Sequence, residues 1–363
     1  MNITSKVTDK RISEQTYRQI RDRLSYSSIK LFDNSRKDFY QQLVLGEKRA
    51  EKESIAVTMG SLVHLLLSLP ESFDEKFIIA GTQRPAGQMG ELVDNLITRA
   101  MKSIVNGVQQ DAFGVLFTDA FNITKYDYEG NEISFKKKEM QWALEKFEGK
   151  EPEHYYKECM ENIGKTVVST ATIESAERIV EKIKAHPYTA GIANLDTSDT
   201  VEVFNELPIL FTLDGVEYKA MIDKIVVNHQ AKSIQTYDWK TTWQIDHPQG
   251  SYLKYGYYLQ AAMYRDAINM WCIENDLIDY RVEPMVFVFC DVSGFQAPVL
   301  LKLTDDDVER ACRGFLYRGY RYNGLRELQA DIAWCLTTGQ WGDSRELQES
   351  NGCVKLGLRY GTM

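Results

Sequence analysis

Residues 217–240 constrain this chain more than any other stretch. Two runs that alternate with period two, residues 221–227 and 234–240, flank the polar segment Asn228-His229-Gln230-Ala231-Lys232. Such alternation marks a half-buried strand, and a short polar link between two such runs predicts an antiparallel hairpin. Asp223 lies on the first strand and Asp238 on the second, with Lys240 two residues further on. The centre of positions 223 and 238 falls inside the polar link, so a symmetric hairpin sets the two carboxylates opposite each other. Alternation puts Asp223 on the face of Ile225 and Val227, and Asp238 on the face of Lys240. Facing carboxylates repel unless a cation lies between them. Hard oxygen ligands favour Mg²⁺ or Mn²⁺. Two acids, a lysine and a divalent ion suit phosphodiester hydrolysis. The plain alternative is a solvated, acid-rich hairpin.

Three other stretches stand in a definite order around the hairpin. They are Leu24-Ser25-Tyr26-Ser27-Ser28-Ile29-Lys30-Leu31-Phe32, then Met59-Gly60-Ser61-Leu62-Val63-His64, and finally Gln260-Ala261-Ala262-Met263-Tyr264. With the acid and the Asp-x-Lys of the hairpin, they resemble the motifs of the PD-(D/E)XK nuclease superfamily. The resemblance is to its RecB-like branch, with a Ser-x-Ser helix start, a Gly-x-x-x-His helix and a Gln-x-x-x-Tyr helix. Length and arrangement look most like the phage recombination exonucleases of the exonuclease VIII (RecE) and λ-exonuclease type. Those proteins digest one strand of duplex DNA from the 5′ end and pass the 3′ strand to a single-strand annealing protein. Two departures stand out: Ile222 precedes the first acid where many members have proline, and residues 86–165 match nothing recognisable.

The resemblance implies a set of roles. His64, Asp223 and Asp238 would bind Mg²⁺, with Mn²⁺ as a substitute and the carbonyl of Trp239 as an extra ligand. Glu206, in Asn205-Glu206-Leu207-Pro208, would assist the metal, in preference to Glu202. Lys240 would orient or activate the water. Gln260 and Tyr264 share a helix face and would steady Lys240 or touch the scissile strand. The implied function is a 5′-to-3′ double-strand DNA exonuclease that leaves 3′ single-stranded tails for recombination by strand annealing. Its partners would be duplex DNA ends, a single-strand annealing protein and further copies of the chain in a ring, in the cytoplasm of a bacterial host cell. Two alternatives stay open: a RecB-like nuclease module serving a separate helicase, and a non-catalytic DNA-end-binding protein. Intact Asp223, Asp238 and Lys240 speak against the second.

Each residue also has a plainer reading. His64 sits among Leu62, Leu65, Leu66 and Leu69, where a histidine is ordinarily a core residue. Tyr252, Tyr255, Tyr257 and Tyr258 could stack on an unpaired base, but amphipathic core is the favoured reading. Arg310, Arg313, Arg318 and Arg321 fall within ~140° of arc if residues 304–322 form one helix. That face could track phosphates or meet another subunit. Lys136-Lys137-Lys138 reads as a solvated charge run.

The remaining features exclude function classes. A net charge of −9 argues against non-specific coating of DNA, but not against a basic channel in an acidic exterior. No Gly-x-x-x-x-Gly-Lys-Ser/Thr loop is present, so ATP hydrolysis is not expected. No apolar run is long enough for a membrane span, and the polar start is no signal peptide. Six cysteines without any C-x-x-C pair read as reduced thiols.

The predicted fold is α/β: a central mixed β-sheet flanked by helices, restriction-endonuclease-like, with a mostly helical insertion. Residues 1–85 would form the N-terminal helical part of the core, 86–165 the insertion and 166–363 the catalytic core. Helices are expected from Ser25 or Ser27 to about Val44, from Thr58 to Pro70, over 91–125, 136–160 and 253–275, from Thr170 or Thr172 to Pro187, and from Thr304 to about Tyr322. A loop is expected over 81–93. Strands are expected at 200–206, 208–213, 217–227, 233–240, 285–290 and 297–303.

Overall fold

The computed structural model describes residue 12 and residues 14–47, 55–79, 81–105, 108–124 and 140–353. The chain divides into two compact units, Met1–Ser68 with Ile179–Met363, and Leu69–Arg178.

The first unit is built on a mixed sheet. Its path starts with the long hairpin of β1 (Val201–Leu213) and β2 (Val216–Asn228), then β3 (Ser233–Thr242), β4 (Val286–Asp291) and β5 (Val299–Lys302). Neighbours are antiparallel except β3 and β4, which run parallel. Parallel neighbours need a crossover. Here it is α4 (Pro248–Lys254) and α5 (Tyr257–Glu274). The expected single helix over 253–275 is broken at Gly256, whose φ of +69° belongs to the left-handed region. The strands expected at 200–206 and 208–213 are one strand, interrupted at Glu206, which has φ +50°.

The helices α1 (Tyr26–Asn34), α2 (Ile55–Ser68) and α3 (Thr170–Ala185) precede the sheet in the chain. Ser25 is the N-cap of α1: Ser28 N–H donates to Ser25 Oγ at 3.3 Å, and Ser25 N–H donates to Ser28 Oγ at 2.6 Å. That helix stops at Ser35, which caps the next short helix, so the expected run to Val44 is not continuous. One face of the sheet carries the main core. Phe287 and Phe289 of β4, Ile225 and Val227 of β2 and Ile234 of β3 pack there with Ala262, Met263 and Ala267 of α5. The other face carries Trp239 and Thr241 of β3, which alternate with Asp238 and Lys240, and it receives α2.

After β5 the chain departs from expectation. Thr304 and Asp307 cap α6 (Asp305–Arg313) reciprocally, as the capping-box pattern predicts, but this helix stops well short of Tyr322. Gly314 has φ +83°, and residues Phe315–Tyr317 and Tyr320–Tyr322 form a two-stranded hairpin whose turn holds Arg318 and Gly319 at positive φ. The four-arginine face is therefore absent. Arg310 pairs with Asp306, Arg313 with Glu309 and Arg321 with Glu327. A further helix, α7 (Leu325–Thr338), closes over the main core through Leu325, Leu328 and Ile332.

The second unit has its own core, including Leu92, Leu96, Leu116, Phe117, Phe121 and Phe147. It is wider than 86–165, because a parallel strand pair, Phe77–Ile79 with Thr166–Val168, belongs to it. The helical expectation over 91–125 resolves into Gly87–Lys102 and Phe113–Thr124, and that over 136–160 into Met140–Phe147 and Glu151–Glu161. Helix already begins at Gly87, inside the expected loop. Gly149, at φ +65°, separates the last pair. The lysines 136–138 lie outside the described residues. Among the described residues no helix is long and apolar enough to cross a membrane.

Candidate active site

The site forms where two strands part. The β2–β3 ladder runs from Asn228↔Ser233 to Lys224↔Tyr237 and stops there. The next pair in register would be Asp223 and Asp238, so the hairpin has the predicted symmetry. Beyond this point β2 continues beside β1, and β3 beside β4. The acids thus sit at the fork of the sheet.

Asp238 keeps the predicted face, that of Lys240, but Asp223 does not keep that of Ile225 and Val227. Ile222 and Ile225 both belong to the main core although they are three residues apart, so the alternation slips across Asp223 and Lys224. Asp223 is thereby turned away from the face of Ile225 and Val227. Its Oδ2 lies 2.7 Å from His64 Nε2, and it accepts the Trp239 amide N–H at 2.8 Å. On the other side of the imidazole, Nδ1 lies 2.7 Å from Glu206 Oε1. Glu206 is opposite Asp223 in the β1–β2 register, where its left-handed backbone interrupts the pairing. His64, Glu206 and Asp223 offer one imidazole nitrogen and two carboxylate oxygens within 4.8 Å of one another.

Asp238 stands apart from that trio. It is almost fully buried, with Oδ1 accepting Gln260 Nε2–H at 2.5 Å and Oδ2 2.5 Å from Lys240 Nζ. Gln260 also lies beside the buried phenol of Tyr264, one turn along α5. Lys240 Nζ rests 4.7 Å from the centre of the Tyr257 ring. The structure thus brings His64, Glu206 and Asp223 into one group, and Asp238, Lys240, Gln260 and Tyr264 into its neighbour. Trp239 enters through its amide N–H. Glu202 is remote in register, paired instead with His229 at 3.3 Å.

Three carboxylates in the site, Glu206, Asp223 and Asp238, face two bases, His64 and Lys240. Burial alone would push the His64 imidazolium down, but Asp223 and Glu206 hold it well above the ordinary histidine range. Burial would raise Asp223, yet His64, Lys240 and the Trp239 amide hold it below the usual carboxylate range. Asp238 goes the other way: burial and the nearby Asp223 carboxylate push it up to about 6, against the pull of Lys240. Burial would lower Lys240, but Asp238 and Asp223 hold it above the ordinary lysine range, so it stays an ammonium.

The donor set fits a small divalent cation. Two carboxylate oxygens and one imidazole nitrogen suit Mg²⁺ and, because of the nitrogen, still better Mn²⁺. Without a metal, the imidazolium supplies the positive charge between the acids.

Gly60 is the close-approach position on α2, one turn before His64. A Cβ there would lie 3.1 Å from Thr241 Oγ1 of β3. The fold shows that Thr241 is the neighbour for which Gly60 leaves room. Thr241 carries no motif that would have singled it out.

A search against curated proteins found no match. A solved structure from Eubacterium rectale, described as that of a "Putative exonuclease", is similar over 96% of each chain, with a TM-score of 0.45 and 13% identity. The profile of the PD-(D/E)XK nuclease superfamily matches residues 23–272, well over half of the chain, and the chain belongs to that superfamily.

Proposed function

We propose that this protein is a Mg²⁺-dependent deoxyribonuclease that degrades one strand of duplex DNA from a 5′ end. The observation that carries the reading is the pairing of a three-donor cation site, His64, Glu206 and Asp223, with an ion pair between the half-buried Lys240 and the buried Asp238 at the fork of the sheet. This differs from the ligand set expected from the resemblance. Glu206 takes the place beside His64, and Asp238 serves first as the counter-ion of Lys240.

His64, Glu206 and Asp223 would hold the metal, with Asp238 adjacent. A divalent ion bound there supplies Lewis-acid polarisation of the scissile phosphate and an acidified water. The protein's own groups do the rest. The Trp239 amide fixes the Asp223 carboxylate, leaving its other oxygen for a ligand. Gln260 fixes Asp238, and Asp238 in turn keeps Lys240 charged and in place. An ammonium is a poor base, so Lys240 acts by stabilising charge that develops on the phosphate oxygens and by orienting water. The 5′ polarity and the hand-over of a 3′ tail to a single-strand annealing protein rest on the motif arrangement, which is like that of phage recombination exonucleases.

The test uses linear duplexes labelled at the 5′ or the 3′ end, with a closed circular control, in Mg²⁺ and in EDTA. Release of 5′ label first, from linear DNA only and in Mg²⁺ only, is expected. Early loss of 3′ label would reverse the polarity. Wild-type cutting by Asp223→Asn and Asp238→Asn variants would overturn the assignment.

A further inference from the structure

The four tyrosines around the start of α5 separate into two kinds. Tyr252, Tyr257 and Tyr258 pack on the main core. Tyr255, in the link between α4 and α5, is left 41% exposed. Gly256, in its left-handed conformation, makes the corner that lifts Tyr255 clear of α5. Its ring is attended by two lysines from different elements: Lys30 Nζ of α1 lies 5.3 Å from the ring centre and Lys254 Nζ of α4 lies 5.4 Å from it. Inward, the Tyr255 and Tyr257 rings are 5.7 Å apart, and Tyr257 carries Lys240 on its ring. Lysines and tyrosines thus form one continuous path from the half-buried Lys240 to the surface.

The charges along this path are unbalanced. Lys240 has Asp238, but among the described residues neither Lys30 nor Lys254 pairs with a carboxylate. This is in a chain with 52 acidic and 43 basic residues. Lys30 is held below the ordinary lysine range by burial and then by Lys240, so the two ammonium groups sense each other. A cluster of cations without counter-ions, around an exposed ring and next to a phosphodiesterase centre, suits an anionic polymer whose units carry flat faces. In single-strand binding, bases stack on aromatic rings while lysines follow the backbone.

We infer that Tyr255, Lys30 and Lys254 form a subsite for single-stranded DNA, with one unpaired base stacked on Tyr255 and flanking phosphates held by the two lysines. The inference rests on the nuclease reading above and adds to it the path by which a strand reaches Lys240. A duplex has no free base face to offer, so the subsite selects a strand that has already separated from its complement.

The experiment measures binding of a fluorescent 12-nucleotide single strand in EDTA, where no turnover occurs, together with cleavage in Mg²⁺ and the melting temperature of each variant. Tyr255→Ala should weaken binding by about 5- to 150-fold, the range for loss of one stacked base. Tyr255→Trp should restore it, which a role confined to folding would not predict. Lys30→Gln and Lys254→Gln should each flatten the slope of log affinity against log salt by ~0.7. Unchanged affinity and slope in these variants, in a protein that binds and cuts DNA, would overturn the subsite alone. A wild-type chain that neither binds the strand nor cuts DNA would overturn the nuclease reading as well.

Discussion

At the scale of single residues, the site consists of charges that are tolerable only together. Lys240→Ala removes the ammonium proposed to face the reacting phosphate, and turnover should fall by ~10²–10³-fold. Mn²⁺ binding, followed by calorimetry, should survive, because Lys240 lies outside the His64, Glu206 and Asp223 trio. His64 makes a second prediction, this one about pH. A base whose folded pKa is raised adds stability that is complete below its unfolded value, about 6.5. That stability disappears as the pH climbs through the folded value. His64 is raised by Asp223 and Glu206 against the effect of burial. The metal-free protein should therefore lose melting temperature as pH rises above about 6.5, and His64→Ala should flatten that decline. Metal binding needs the neutral imidazole, so wild-type Mn²⁺ affinity should climb over the same window. A pH-independent affinity, measured by titration calorimetry in several buffers, would remove His64 from the ligand set.

At the scale of elements, the geometry of the candidate site depends on how closely α2 lies on β3. Gly60 allows that approach, with Thr241 Oγ1 3.1 Å from where a Cβ would stand. Gly60→Val should push α2 outward and carry His64 with it. Misplacement by about 1 Å costs ~10²-fold in rate, and a loss of that order is expected. Thr241→Ala in the same chain should recover part of it, a coupling that a double-mutant cycle reads directly. If the two losses simply add, the contact does not set the position of His64. The same scale explains the fate of the arginine face. Gly314 ends α6, and the residues that would have continued the face turn back as a hairpin, where Arg321 meets Glu327 and Arg318 lies over the Tyr317 ring.

At the scale of the whole molecule, the two units have separate cores. Leu96 is fully buried in the core of Leu69–Arg178, whereas the residues assigned to the metal site belong to the other unit. Leu96→Ala should destabilise that unit by ~2–5 kcal/mol. Mn²⁺ affinity should remain within about twofold of wild type if the metal site is complete in the other unit. Saturating metal should stabilise that other unit, by ~2.7 kcal/mol at a hundred times Kd, and should do so in the Leu96→Ala variant as well. Chemical denaturation with and without Mn²⁺ tests both. Loss of metal binding in Leu96→Ala would show that the site draws on both units.

The sequence by itself determined whatever depends on short-range periodicity and local hydrogen bonding. The symmetric hairpin places Asp223 and Asp238 in register because the positions of its apolar residues leave few other pairings. Ser25 and the Thr304–Asp307 pair start helices because their side chains reach backbone N–H groups three residues away. Gln260 and Tyr264 share a face because helix pitch puts them there. Tertiary structure decided which of these groups meet. His64 is 142 residues from Glu206 and 159 from Asp223, and no local pattern carries that contact. The slip of alternation at Asp223–Lys224 and the left-handed Glu206 belong to a fork that exists only once three strands and α2 are assembled. That fork places Glu206 beside the imidazole and leaves Asp238 to Lys240. Exposure of Tyr255 among four similar tyrosines was decided the same way, by a corner at Gly256 and by which rings the core had room to cover.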